Sequence, residues 1–250
     1  MIDPPTANRR ILAGITAVCM LLLAGGLLVQ HRLRQSQLWN RMLLTNDAGV
    51  LGDHELTAFA ISKAKPLYAA HCSGCHGEGM QGDRGKGAPN LRDKYWLFGD
   101  GSMIEIERTV LYGVRSKHSK SRNVTDMPAF GLTGRLSEAE IRNLVQYLLQ
   151  LSGQPHRTAA ATEGRAVYND VAKANCADCH GETGQGNSAY GAPDLTVDEW
   201  HSGDDSQVFY DAIYSGQHRI MPGWLGTLDL AQIRALAIYV YARSHGVTDG

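Results

Sequence analysis

The segments 69-AAHCSGCHGEGMQG-82 and 173-KANCADCHGETGQG-186 share a Cys-x-x-Cys-His-Gly core and a glycine-rich tail. On a short helical turn, two cysteines three residues apart present both thiols to one face, and the next residue adds an imidazole. That is the attachment signature of c-type haem. The thiols reach the two porphyrin vinyl groups as thioethers, and the histidine stands over the iron. Cys72, Cys75, Cys176 and Cys179 are therefore the candidate attachment residues for two covalently bound haem c groups, with His76 and His180 as proximal iron ligands.

A haem that only relays electrons needs its sixth position closed, and a methionine sulfur closes it while raising the potential. Each motif is followed by a Met-Pro pair, in 125-TDMPAFG-131 and in 218-HRIMPGW-224. Met127 is the expected distal ligand of the first haem and Met221 of the second. Met80 is too close in sequence to the first motif to reach the opposite haem face, and His118 is the alternative to Met127. Zinc gives no reason for a histidine directly after each cysteine pair. A thioredoxin-like reading lacks a βαβ context, and a disulfide framework would be expected in a shorter, more evenly cysteine-studded chain.

Around the motifs the chain repeats itself. Gly87-Ala88-Pro89-Asn90-Leu91 answers Gly191-Ala192-Pro193-Asp194-Leu195, and Trp96 answers Trp200. Pro89 and Pro193 are expected to shape the proximal side, and the two tryptophans to wall a pocket or pack in a core. Leu136, Ile141, Leu144 and Tyr147 align without a gap on Leu228, Ile233, Leu236 and Tyr239, in segments of helical periodicity. Capping boxes, Ser137-x-x-Glu140 and Asp229-x-x-Gln232, open both segments. Helices are also expected at about 55–70 and 163–174, before each motif, and no alternating strand pattern stands out.

The copies differ in two places. From Gly113 to Met127 is fourteen steps, but from Gly216 to Met221 only five, so the first copy carries an insertion containing Arg115, Lys117, Lys120 and Arg122. Those cations can steer an acidic partner, neutralise haem propionates, or simply be a solvated loop. Tyr68 precedes Cys72 by four residues and Tyr168 precedes Cys176 by eight, an added helical turn that preserves the helix face.

At the N-terminus, 11-ILAGITAVCMLLLAGGLLV-29 carries no charge. Its nineteen residues span about 30 Å as a helix, the hydrocarbon thickness of a bilayer. It reads as a retained anchor, longer than the apolar core of a cleaved signal peptide. Cys19 is then a small apolar filler. The following 30–53 region is expected to extend the anchor outward, with Trp39 near the membrane interface and 45-TNDAGVLGD-53 as a hinge. The formal net charge of −1 gives no support to nucleic-acid binding.

The expected fold is all-α: an N-terminal transmembrane helix followed by two tandem cytochrome c class I haem domains. The divisions are 1–10, cytoplasmic; 11–29, anchor; 30–54, linker; 55–153, first haem domain; 154–162, linker; and 163–250, second haem domain. Haem is attached to c-type apoproteins outside the bacterial cytoplasm, so both domains should face the periplasm from the inner membrane.

From Trp39 to Gly246 the chain resembles the di-haem subunit III of cbb3-type cytochrome c oxidases. The resemblance is closest in "GAPNLRDKYWLFGDG", "GVRSKHSKSRNVTDMPAFG", "GAPDLTVDEW" and "IMPGWLGTLDLAQIRALAIYVYA". It implies haem attachment by the four motif cysteines and ligation by His76, Met127, His180 and Met221. It also implies electron transfer from a soluble donor cytochrome c towards the oxidase catalytic subunit, beside a mono-haem cytochrome subunit. Oxygen would then be reduced in another chain. In some members two histidines are thought to hold the first haem, which keeps His118 in view. Two departures from the family pattern are the short "MIDPPTANRR" before the anchor and the extra turn before the second motif. The competing functions are a cytochrome partner of a periplasmic dehydrogenase and a di-haem peroxidase. Peroxidase chemistry needs an open sixth site, and a methionine for each haem argues against it.

Overall fold

A computed structural model describes residues 4–83, 86–123, 125–197 and 205–247, so Trp200 lies outside the described residues. Among these residues the regular structure is helical, with only isolated bridges between extended residues. The N-terminal helix α1 (Pro4–Leu44) is one continuous rod. From Gly14 to Leu33 its side chains are exposed, Leu21 at 73% and Leu22 at 72%, so none of the described residues covers this apolar run. A helix that is apolar all round and uncovered fits a single-pass membrane anchor.

The outward end of α1 is not a loose stalk. Leu38 and Met42 are buried in a core, and Trp39 packs edge-on against Phe59 with ring centroids 5.2 Å apart. The expected hinge is a helix, α2 (Asp47–Gly52), because the Asn46 side chain accepts from the Gly49 amide and caps it. Asp53 then caps α3 (His54–His71), which covers the expected pre-motif helix. Next come α4 (Ser73–His76), α5 (Met103–Tyr112) and α6 (Glu138–Leu151), then α7 (Thr158–Asn169), α8 (Cys176–His180), α9 (Asp205–Ser215) and α10 (Leu230–Ser244). Both expected capping boxes are formed, at the starts of α6 and α10.

The extra turn before the second motif differs from expectation. Helix α7 stops at Asn169, and the added residues make a separate turn. The Asp170 carbonyl accepts from Lys173 and Asn175, its carboxylate accepts from the Ala172 amide, and Asn175 takes a left-handed φ of 46°. Closing the turn on Asp170 costs the helix its continuation but satisfies the amides that follow.

The two repeats are tandem in sequence, but the two cores are not. Helix α6, from the first repeat, packs on α7 and α9 of the second. Helix α10, from the second repeat, packs on α3 and α5 of the first. One core therefore joins Phe59, Tyr68, Ile106 and Val110 to Leu236 and Tyr239. The other joins Ile141, Leu144 and Tyr147 to Tyr168, Phe209 and Ile213. The tyrosine pairs repeat the exchange: Tyr68 meets Tyr239 at 5.8 Å, and Tyr168 meets Tyr147 at 5.2 Å, both edge-on. The close α6–α7 crossing depends on Gly164, where a Cβ would sit 2.0 Å from the Asn143 carbonyl oxygen.

Helix α10 carries a longer apolar run than α6 because it is covered on more sides. Ala235 to Val240 are all buried, among α3, α5 and the outer end of α1. Arg234 on the same helix reaches back to the stem. It donates to the carbonyls of Met42 and Thr45 and pairs with Asp47 and Glu107.

Candidate haem sites

The two motifs are held in nearly the same way. Cys72 ends α3 and starts α4, and Cys176 starts α8, so each set of thiols and imidazole lies on one short turn. The Tyr68 hydroxyl donates to the Gly77 carbonyl at 2.8 Å, and the Tyr168 hydroxyl donates to the Gly181 carbonyl at 2.7 Å. The two tyrosines thus do the same job despite their different distances from the motifs. The four added residues of the second copy are looped out so that this bond is kept.

Each imidazole is oriented by a proline carbonyl. His76 Nδ1 lies 3.0 Å from the Pro89 oxygen, and His180 Nδ1 lies 3.0 Å from the Pro193 oxygen. A carbonyl can only accept, so Nδ1 carries the proton and Nε2 keeps a free lone pair, the tautomer an iron ligand needs. Burial lowers the pKa of both histidines below the ordinary value, against the raising effect of the proline carbonyl. The neutral ring is thereby favoured.

The glycine-rich tails make this orientation possible. The Gly82 amide donates to the His76 carbonyl, and the Gly186 amide donates to the His180 carbonyl. At Gly82, φ is 79° and a Cβ would lie 2.7 Å from the Ala88 oxygen and from the Asn90 nitrogen. At Gly186, φ is 76° and a Cβ would lie 2.6 Å from the Asp194 nitrogen. Only glycine lets the Gly-Ala-Pro turn come against its motif and deliver the proline carbonyl.

The cysteines form no disulfide. Cys72 borders one core and Cys176 the other, so the two pairs do not come together. Burial raises the Cys72 thiol to about 11 and the Cys176 thiol to about 12. Two thiols and a fixed imidazole on one turn, bordering an apolar core, match what covalently held haem requires. The residues present fit the group at both places.

The methionines fall differently from the expectation that each serves its own repeat. Met127 packs against the core that holds Cys176, and its backbone pairs with Gln217 in both directions, at 3.3 and 3.0 Å. Met221 pairs in both directions with Val114, at 3.0 Å each, just past the end of α5 in the core that borders Cys72. Glycine again permits the contact. A Cβ on Gly113 would lie 2.3 Å from the Met221 oxygen, and one on Gly216 would lie 2.5 Å from the Met127 oxygen. The cause is the helix exchange, which carries each Met-Pro loop along with the helix that follows it. Met80, by contrast, is buried in the first core at a left-handed φ of 63°.

His118 is exposed and stacks on Tyr112 with ring centroids 4.6 Å apart, while its Nδ1 accepts from the Lys120 amide. It lines a groove with Ile220 and Pro222, the two residues that flank Met221 in sequence. Two of the four insertion cations are tied down: Arg115 pairs with Asp126, and Arg122 pairs with Glu105 and lies over Phe98. Lys117 and Lys120 are exposed, with the Lys120 Nζ 5.4 Å from the centre of the Tyr112 ring. Trp96 packs against the first core, with its indole nitrogen beside Gly101.

The family described as cytochrome c oxidase, cbb3-type, subunit III matches the chain at residues 59–148 and again at 159–240. The cbb3-type cytochrome c oxidase subunit FixP of a Bradyrhizobium species is 40% identical over 200 residues, covering 80% of this chain and 66% of that protein. Subunit CcoP of Cereibacter sphaeroides is 34% identical over 206 residues, covering 82% of this chain and 69% of the relative. Subunit CcoP of Azospirillum brasilense is 37% identical over 193 residues, covering 75% and 63%. The matched stretch thus spans about two thirds of the length of these relatives.

Proposed function

The chain belongs to the family of cbb3-type cytochrome c oxidase subunit III, and on that premise we propose that it is a membrane-anchored di-haem c-type cytochrome. It relays electrons from a soluble donor cytochrome c to the catalytic subunit of a cbb3-type terminal oxidase, beside a mono-haem cytochrome subunit. The observation that carries this reading is the duplicated cradle, in which two motif imidazoles are each turned by a proline carbonyl at 3.0 Å. Membership implies haem c, and two cradles argue for two groups. We take 55–153 and 163–250 as the two haem-attaching repeats.

Bound haem c supplies a one-electron iron couple. The chain does the rest. Cys72 and Cys75, and likewise Cys176 and Cys179, would hold the ring by thioethers. His76 and His180 would offer Nε2 to the iron, and the sulfurs of Met127 and Met221 would be its other protein ligands. Helix α1 holds the molecule to the inner membrane, with the N-terminus cytoplasmic and both haem-attaching repeats in the periplasm.

Mass spectrometry of the purified chain should find the increment of two covalently attached porphyrins, and the reduced protein should not bind carbon monoxide. Purification from native membranes should bring a haem–copper catalytic chain with it. Co-purification with a dehydrogenase instead would overturn the oxidase assignment, and failure to find the porphyrins would overturn the whole reading.

A further inference from the structure

We propose that the two irons are ligated crosswise between the repeats. Met221, from the second repeat, closes the iron held at Cys72, Cys75 and His76, and Met127, from the first repeat, closes the iron held at Cys176, Cys179 and His180. The proposal rests on the His/Met reading above and adds the pairing.

Three sets of contacts carry it. First, the segment after each methionine is built into the other repeat's core. Trp224 packs its ring 4.8 Å from His71, the residue before Cys72, and Leu228 is buried with Tyr68 and Met80. On the other side, Phe130 and Leu136 are buried with Tyr168, in the core that Cys176 borders.

Second, the backbone leaves each loop little freedom. The Trp224 amide donates to the Val110 carbonyl at 3.0 Å, and the Leu225 amide to the Leu111 carbonyl at 3.1 Å. These bonds fasten the Met221 loop to the last turn of α5, whose Met103, Ile106 and Val110 belong to the first core. Correspondingly, the amides of Phe130 and Gly131 donate to the carbonyls of Ile213 and Tyr214 at 3.1 Å each, fastening the Met127 loop to the last turn of α9. The arrangement has an approximate two-fold relation: the end of α5 holds the Met221 loop as the end of α9 holds the Met127 loop. Third, Arg219, two residues before Met221, lies on Gly87, where a Cβ would be 2.5 Å from its Nε. Gly87 belongs to the turn that presents the Pro89 carbonyl to His76.

The insertion in the first repeat sits where the chain crosses between cores and folds on itself without disturbing the crossing. The Arg122 amide donates to the Gly113 carbonyl and the Arg115 amide to the Arg122 carbonyl, so the nine-residue excess leaves and returns at nearly the same point. A crossing of five residues in one repeat and fourteen in the other can then serve equivalent ends.

The test reads the methionine-to-iron charge-transfer band of the oxidised, full-length di-haem protein. Removing one proximal ligand, as in His180→Gly or His76→Gly, should halve the band by leaving one intact His/Met iron. In the His180→Gly background, adding Met221→Leu should abolish the remaining half, whereas adding Met127→Leu should leave it. In the His76→Gly background the two methionine variants should exchange effects. The opposite pattern would overturn the crosswise pairing. Absence of the band from the unmutated protein would instead overturn methionine ligation itself, and the pairing with it.

Should the double variants fail to accumulate, zero-length carbodiimide cross-linking of the unmutated protein decides the question. The exchange places Lys173, before the second motif, in an ion pair with Glu140 at the start of α6. A Lys173–Glu140 cross-linked peptide is expected. If none forms, or if peptides of α6 join peptides of α3 instead, the exchange is refuted.

Discussion

A histidine in a haem motif can be named from spacing alone, but its ring orientation depends on an atom thirteen residues away. The Pro89 and Pro193 carbonyls fix the tautomers of His76 and His180, and Gly82 and Gly186 let those carbonyls approach. Gly82→Ala should therefore cost roughly 1–3 kcal/mol, since it adds left-handed strain to a backbone clash. Urea unfolding followed by the haem absorbance of the purified protein would measure the loss. A midpoint equal to that of the unmutated protein would show that the turn can move aside. That each pair of motif cysteines and its histidine share one short turn was legible in the sequence, because the spacing is local. The proline carbonyls as partners, and the shared role of Tyr68 and Tyr168, were not legible, because backbone acceptors leave no mark on residue identity.

Among the elements, the helices flanking the motifs and both capping boxes followed from periodicity and cap residues, which act within a single turn. The two departures, the α2 helix in place of a hinge and the turn at Asp170–Asn175, are closed by the side chains of Asn46 and Asp170, whose bonds to nearby amides compete with what periodicity alone suggests. Arg234 on α10 donates to two carbonyls of the stem and pairs with Asp47 and Glu107. Arg234→Ala should cost about 3 kcal/mol, as expected when a largely buried cation network loses its centre. Limited proteolysis should then cut between Leu44 and Gly52, a segment expected to resist cleavage in the unmutated protein.

The start of α6 gives a pH prediction. Lys173 and the Ser137 cap hold the Glu140 pKa at about 2, below its ordinary 4.5. A carboxyl depressed in the folded state stabilises fully above its unfolded pKa, and that contribution fades as pH falls from about 4.5 towards 2. Glu140→Gln should lower the urea midpoint at pH 6, and the difference from the unmutated protein should shrink on acidification to pH ~3. A gap independent of pH would assign the effect to packing instead.

For the whole molecule, the repeats read identically whichever helix closes which core. Leu136, Ile141, Leu144 and Tyr147 offer the same apolar face as Leu228, Ile233, Leu236 and Tyr239, so the pattern holds no information about which partner each face meets. Tertiary context alone settles the exchange, and that is why it was not legible. Because each core borrows a helix from the other repeat, neither should melt alone. Calorimetry of the detergent-solubilised holoprotein should show one transition, coincident with the loss of haem absorbance. Two separated transitions would show that the cores are energetically independent. The anchor has a consequence of its own. Helix α1 runs without a break from the apolar span into the buried side chains of Leu38 and Met42. At 1.5 Å per residue, the fifteen steps from Val29 to Leu44 form a mast of about 22 Å. A cargo bolted to such a mast cannot swing like a buoy on a rope. Its height above the lipid is set by the length of the rod and its tilt is limited by the span, so a docking protein meets a face at one level instead of searching the volume a slack tether would sweep.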